Sequence, residues 1–197
     1  MESKIIYHKP ENYVFDEKSL QLYNEINNIK EPIVPTNLSY NLKYYNNDQD
    51  IIIEPKDGNY EYVIILLHGL GVLPINLAKI FFKGIYFPKI IKTKFIFPKG
   101  SELLFIKDNK FYFKYDEKEF SVDDNYMLFL EKANLNVFNI IENEAKIVGY
   151  KNIFLGGSSI GGISSYYIGY NLKEMLGGLI LMNATFYLDR SEEHTSE

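Results

Sequence analysis

The chain contains no cysteine, which excludes disulfides, thiolate metal sites and a cysteine nucleophile, and fits a reducing compartment. No run of about eighteen apolar residues occurs, so no stretch reads as a transmembrane helix. Met1 to Pro10 has no apolar core of signal-peptide length, and a cytoplasmic protein is expected. Cationic blocks are also missing. Lys and Arg number 21 against 26 Asp and Glu, for a net charge of −5, and this argues against nucleic acid or an anionic membrane as partner. Neither Gly-x-Gly-x-x-Gly nor a glycine-rich loop ending in Lys-Ser or Lys-Thr is found. No metal or cofactor is expected.

What is present is apolar material, 46% of 197 residues, enough for one sizeable core. Residues 1–36 are polar, with a helical pattern from Asp16 or Ser19 to Lys30 (Leu20, Tyr23, Ile26, Ile29), and read as an extension that packs one helix on the body. Leu38, Tyr40, Leu42 and Tyr44 alternate with polar residues, as in a strand buried on one face. Ile51-Ile52-Ile53 continues as a second strand. Tyr62 to Leu67 is nearly unbroken apolar sequence of the kind buried on both faces. A helix is predicted over Ile75 to Lys83, with Pro74 at its first position and Gly84 as its stop. Lys94 to Pro98 reads as a third buried strand.

Residues 99–122 read as a long surface loop or short hairpin. Asp123 and Asp124 are expected to cap one long helix, with Met127, Leu130, Val137, Ile141, Ala145 and Val148 on its apolar face and Gly149 at its end. Asn152 to Leu155 and Leu179 to Met182 are further buried strands, with a helix over Ile163 to Leu172 between them. Buried strands alternating with helices predict an α/β fold, a mostly parallel sheet covered by helices on both faces.

Two glycine-rich junctions stand at the ends of strands in this pattern. In Gly156-Gly157-Ser158-Ser159-Ile160-Gly161-Gly162, only Ser159 has glycine both two residues before it, Gly157, and two after it, Gly161. A serine on a strained strand-to-helix turn needs such neighbours, because a Cβ at either flank would meet the adjacent strand or helix. Ser159 is therefore the candidate nucleophile. A plain glycine-rich turn or a phosphate cradle would share the geometry. The second junction is His68-Gly69-Leu70-Gly71. Strand ends in such a sheet converge on one crevice, and acyl transfer needs two N–H donors for the tetrahedral oxyanion. The residue after the nucleophile, Ile160, would supply one and Leu70 the other. Leu70, Val72, Leu73 and Ile75 would form part of an acyl-facing wall.

With these residues the chain resembles the α/β-hydrolase superfamily, and within it the carboxylesterase, lysophospholipase and acyl-protein thioesterase group. Val63 to Gly71 is similar to that group's oxyanion strand and loop, Ile96-Phe97-Pro98 to its next strand, and Ile153 to Gly162 to its serine strand and elbow. Gly177 to Met182 is similar to the strand that follows. The resemblance covers about residues 50–188. It implies a serine hydrolase that cleaves carboxylic esters or thioesters of a small acyl ester or an acylated protein or lipid. Two positions depart from it: Ile160 stands where the group usually has glutamine, and Ser158 where it usually has an aromatic residue. His68 in such loops supports the turn and is not the proton acceptor.

The resemblance places the acid and histidine on loops after two further strands, so neither is expected in this chain, and residues 1–197 by themselves are expected to be inactive. The hydrolase domain is assigned to 37–189. Residues 190–197, Arg190 to Glu197, read as a non-native tail, like a translated sequencing adapter, and are excluded from the fold. The competing reading takes Asp189 and His194 as a compressed acid and base, with no strand between them to aim the imidazole. The other rival is a non-catalytic hydrolase-fold module that binds an acyl chain or a protein partner.

Overall fold

The computed structural model describes residues 40–45, 50–70, 72–84, 92–100, 104–107 and 110–184. The helix expected before Lys30, the tail at 190–197 and Gly71 lie outside the described residues. In chain order the elements are β1 (Tyr40–Tyr45), β2 (Asp50–Pro55), β3 (Tyr62–Leu67), α1 (Pro74–Gly84), β4 (Thr93–Phe97), β5 (Leu104–Lys107), β6 (Lys110–Tyr115) and β7 (Lys118–Ser121). They continue with α2 (Tyr126–Ala133), α3 (Leu135–Val148), a 3-10 turn (Tyr150–Asn152), β8 (Ile153–Ser158), α4 (Ile160–Asn171) and β9 (Gly178–Met182).

Six strands form one sheet in the order β1-β2-β4-β3-β8-β9. The antiparallel pairs β1 with β2 and β2 with β4 make its edge, while β4, β3, β8 and β9 run parallel. The mostly parallel sheet expected from the pattern is thus present, and the unbroken apolar run of β3 has a direct cause. Leu66 of β3 joins Ile51, Ile53, Phe95 and Phe97 under α1, where Leu77, Ala78 and Phe82 cover them. Val63, Ile65 and Leu67 point the other way, to Ile96, Ile153 and Leu155 beneath Val137 and Ile141 of α3 and Ile168 of α4. Both faces are dry, so neither side of the strand has room for a polar residue. Phe82 packs edge-on to Phe95 with ring centroids 5.0 Å apart, and each such fully buried side chain contributes about 2 kcal/mol. Among the described residues every buried side-chain nitrogen and oxygen has a hydrogen-bond partner.

Three expectations need correction. Residues 104–121, read as a long surface loop or short hairpin, hold more than a single hairpin: β5, β6 and β7 form a separate antiparallel sheet. Its hairpin turns at Asp116 and Glu117, both with positive φ, as a two-residue turn between strands requires. Phe113 pairs with Phe120 across β6 and β7, stacked at 5.3 Å, and is fully buried. Charged residues between the aromatics hid the alternation.

The long helix is also two helices. Asn134, buried between them, donates from Nδ2 to the Leu130 carbonyl at 2.7 Å, while its own carbonyl accepts from the Val137 and Phe138 N–H groups. An asparagine side chain that bonds the backbone offers the chain an alternative to continuing the helix. The residue before α2 is Asn125, not Asp123 or Asp124, and Met127 points outward, 62% exposed, where Phe129 and Leu130 are buried. Finally, among the described residues β9 lies at the end of the strand order, and its Leu179 and Leu181 are about two-fifths exposed, not buried (40% and 39%).

Candidate active site

After β3 the chain moves to β4 on one side, and only after α2 and α3 does it return, as β8, to the other side of β3. The gap between the carboxyl ends of β3 and β8 is therefore a switch point, where loops diverge and leave a crevice. Register sets what lines it. Leu67 pairs with Gly157 in the parallel ladder, so the two chains leave the sheet side by side, one as His68-Gly69-Leu70 and the other as Ser158-Ser159-Ile160. The structure brings together the two junctions singled out in the sequence.

Ser159 stands at the turn between β8 and α4, exposed to solvent, with φ 55 and ψ −123. That is a backbone region that residues other than glycine seldom occupy, and holding it costs on the order of 1–3 kcal/mol. Fixed neighbours supply the constraint. The Ser159 N–H donates to the Met182 carbonyl of β9 at 3.0 Å, and its carbonyl accepts from Gly162 and Ile163 at 2.9 and 3.1 Å. The flanking glycines behave as the sequence requires: a Cβ on Gly157 would stand 2.7 Å from the Leu67 carbonyl oxygen, and one on Gly161 would stand 2.7 Å from that of His68. Both obstacles are backbone, which cannot rotate away.

Ile160 is the first residue of α4, so its N–H has no partner within the helix. Leu70, half-buried, follows Gly69 on the facing turn. Of the other residues expected in an apolar wall, Val72 and Ile75 pack against the core under α1 together with Met182. This anchors the segment that follows Leu70.

His68 is the one histidine among the described residues. Its Nδ1 lies 2.9 Å from the Gly69 carbonyl oxygen, and its Nε2 accepts the Gly100 N–H at 2.9 Å. A carbonyl only accepts and an N–H only donates, so the ring is neutral with its proton on Nδ1. Burial holds its pKa below the ordinary value, opposed by the bond to Gly69. Both nitrogens are committed to tying the β3 turn to the segment after β4. Sequence reasoning missed the Gly100 contact, and also the Met182 carbonyl that holds Ser159, because backbone partners leave no residue signature.

Two features lie away from this crevice. At the other end of the parallel strands, Lys94 meets Glu144 at 2.5 Å, and the Tyr60 hydroxyl donates to the same carboxylate at 2.9 Å. Among the described residues no group of His, Cys, Asp and Glu is placed to hold a metal ion, and no helix is long and apolar enough to cross a membrane.

No curated protein matches the chain. A family model described as Phospholipase/Carboxylesterase matches residues 47–196, a span that takes in every strand of the main sheet except β1, both junctions, and the segment 190–196. By that match, and with its mostly parallel sheet covered on both faces, the chain belongs to the phospholipase/carboxylesterase family of α/β-hydrolases.

Proposed function

We propose that this protein is a serine hydrolase acting on carboxylic esters or thioesters through an acyl-enzyme, with Ser159 as nucleophile. The observation that carries the reading is the strained, solvent-facing Ser159 at the start of α4, set against the Gly69 turn. Its Oγ would attack the carbonyl carbon and lose its proton to a base, and the alcohol or thiol would leave from the tetrahedral intermediate. Water would then release the acid from the acyl-enzyme. The Leu70 and Ile160 N–H groups are assigned to the oxyanion, where donors fixed in advance lower the barrier without reorganising. Leu70 and Leu73 are assigned to the acyl side of the crevice, with Val72 and Ile75 anchoring them on the core under α1. The base is assigned to none of residues 40–184, since both nitrogens of His68 are engaged.

The test is reaction with a fluorophosphonate, with the adduct mapped by peptide mass spectrometry. An adduct on Ser159 that is absent in Ser159→Ala is expected, and an adduct on another residue would move the nucleophile. With both nitrogens of His68 engaged, labelling is expected to be slow, because a protonated serine is a weak nucleophile. Rapid labelling that vanishes in His194→Ala would make that histidine the base. The engagement of His68 also favours one rival, a binding module: saturable binding of a fatty acid with no adduct at all would select it.

A further inference from the structure

β6, β7 and α2, residues Lys110 to Ala133, have a core of their own made by Phe113, Val122, Phe129 and Leu130. Ile160, Ile163 and Tyr167 of α4 pack against it, spaced as one helical stripe. The opposite stripe of α4, with Gly161, Ser165 and Ile168, is buried, and Ile168 belongs to the core on the main sheet. The helix is thus clamped between the main sheet and the small subdomain. Its first residue, Ile160, has its backbone at the crevice and its side chain against the subdomain.

The start of α4 is held at its backbone by the Ser159 N–H bond to Met182 and by Ser165 Oγ, which donates to the Gly161 carbonyl at 2.7 Å, but side chains contribute less. Ser159 makes no side-chain cap to the first turn, and Ile160 is followed by Gly161 and Gly162, which are closely packed but bring no side chain of their own. The apolar anchors within that turn are Ile160 and Ile163. We infer that Ile160 is a positioning residue: its side chain, packed half-buried against the Phe113, Val122, Phe129 and Leu130 core, fixes the aim of its own N–H, so that packing of the Lys110 to Ala133 subdomain sets the oxyanion geometry. This rests on the proposed role of the Ile160 N–H. It gives a physical purpose to an apolar side chain at this position, since the side chain packs against that core.

The experiment has two arms on the full chain. In the first, amide resonances are compared between the parent, Phe129→Leu, Ile160→Val and the control Met127→Ala, whose side chain points to solvent from the same helix as Phe129. Phe129→Leu should shift the Ile160 amide well beyond the Leu70 amide, and Met127→Ala should move neither. In the second, fluorophosphonate labelling is separated into a binding constant and a maximal rate. Ile160→Ala should lower the maximal rate about tenfold, a fraction of what losing an oxyanion donor costs, with binding unchanged, and Ile160→Val should recover most of the rate. An Ile160 amide that ignores Phe129→Leu in a folded protein overturns the inference. So does a change in binding constant alone, which would mean that the side chain touches the ligand. Absence of any adduct in the parent defeats the nucleophile reading instead, and the amide arm still decides the coupling.

Discussion

A methyl group added to Gly69 would stand 3.4 Å from the Cβ of Ser159 and 3.2 Å from the Ser158 carbonyl oxygen. Residues ninety positions apart are therefore in direct contact across the crevice, and the space between them is limited to what glycine leaves.

That spacing ranks the glycines. Gly69→Ala places its methyl at ordinary contact from one atom and slightly tight against another, so a cost of about 1 kcal/mol is expected. Gly157→Ala and Gly161→Ala drive a methyl into backbone carbonyls and should each cost about 3 kcal/mol or more. Urea unfolding of the three variants measures the order. A Gly157→Ala protein as stable as Gly69→Ala would mean that β8 and α4 are less closely packed than described.

Ser159 offers a separation of strain from chemistry. Glycine accepts φ 55 and ψ −123 freely, so Ser159→Gly should abolish labelling and yet raise stability by about 1 kcal/mol. Ser159→Ala keeps the Cβ and should abolish labelling with no such gain. Equal melting temperatures for the two variants would show that the turn carries no stored strain.

The histidine predicts a pH dependence. Because burial holds the folded-state pKa of His68 below 6.5, the unfolded chain binds the proton more readily than the folded protein. Stability from this group is full above about pH 6.5 and declines as pH falls below it, by up to about 1.4 kcal/mol per unit, until the buried ring itself titrates. Protonation would also put a hydrogen on Nε2 against the Gly100 N–H. Comparing unfolding of the parent and His68→Gln between pH 7.5 and 5 isolates the effect, which should be missing from the variant. A variant with the parent's full slope would assign the titration elsewhere.

At the far end of the sheet, Lys94 and Glu144 are each about nine-tenths buried at the side chain (12% and 10% exposed). Glu144→Ala would leave the ammonium unpaired, at a cost of about 3 kcal/mol, whereas the double variant Lys94→Met with Glu144→Leu should lie close to the parent. The Tyr60 hydroxyl, whose pKa is raised by burial and by its bond to Glu144, is half-buried and can turn to water. Neither change should alter labelling at Ser159. A double variant no more stable than Glu144→Ala would mean that the pair itself stabilises the fold.

The sequence alone carried the fold where pattern and burial coincide. β3 could be read because each of its faces meets a dry core, and α1 because proline and glycine punctuate its ends. Ser159, Gly157 and Gly161 were legible because a tight turn constrains residue type at fixed short spacing, and a constraint of that kind is local. Whatever depended on distant partners was not. The charged sequence around Phe113 reads as a loop until Phe129 and α4 are seen to bury it, and Asn134 divides a continuous apolar stripe through a side-chain bond that periodicity does not register. The apolar run of β9 predicts a buried strand, yet its burial follows from its place in the strand order. Likewise, residue type could not say which groups would occupy the two nitrogens of His68, since both partners belong to the backbone. Local sterics fixed the turn at Ser159; only the register of β3 against β8 decided that Gly69 would face it.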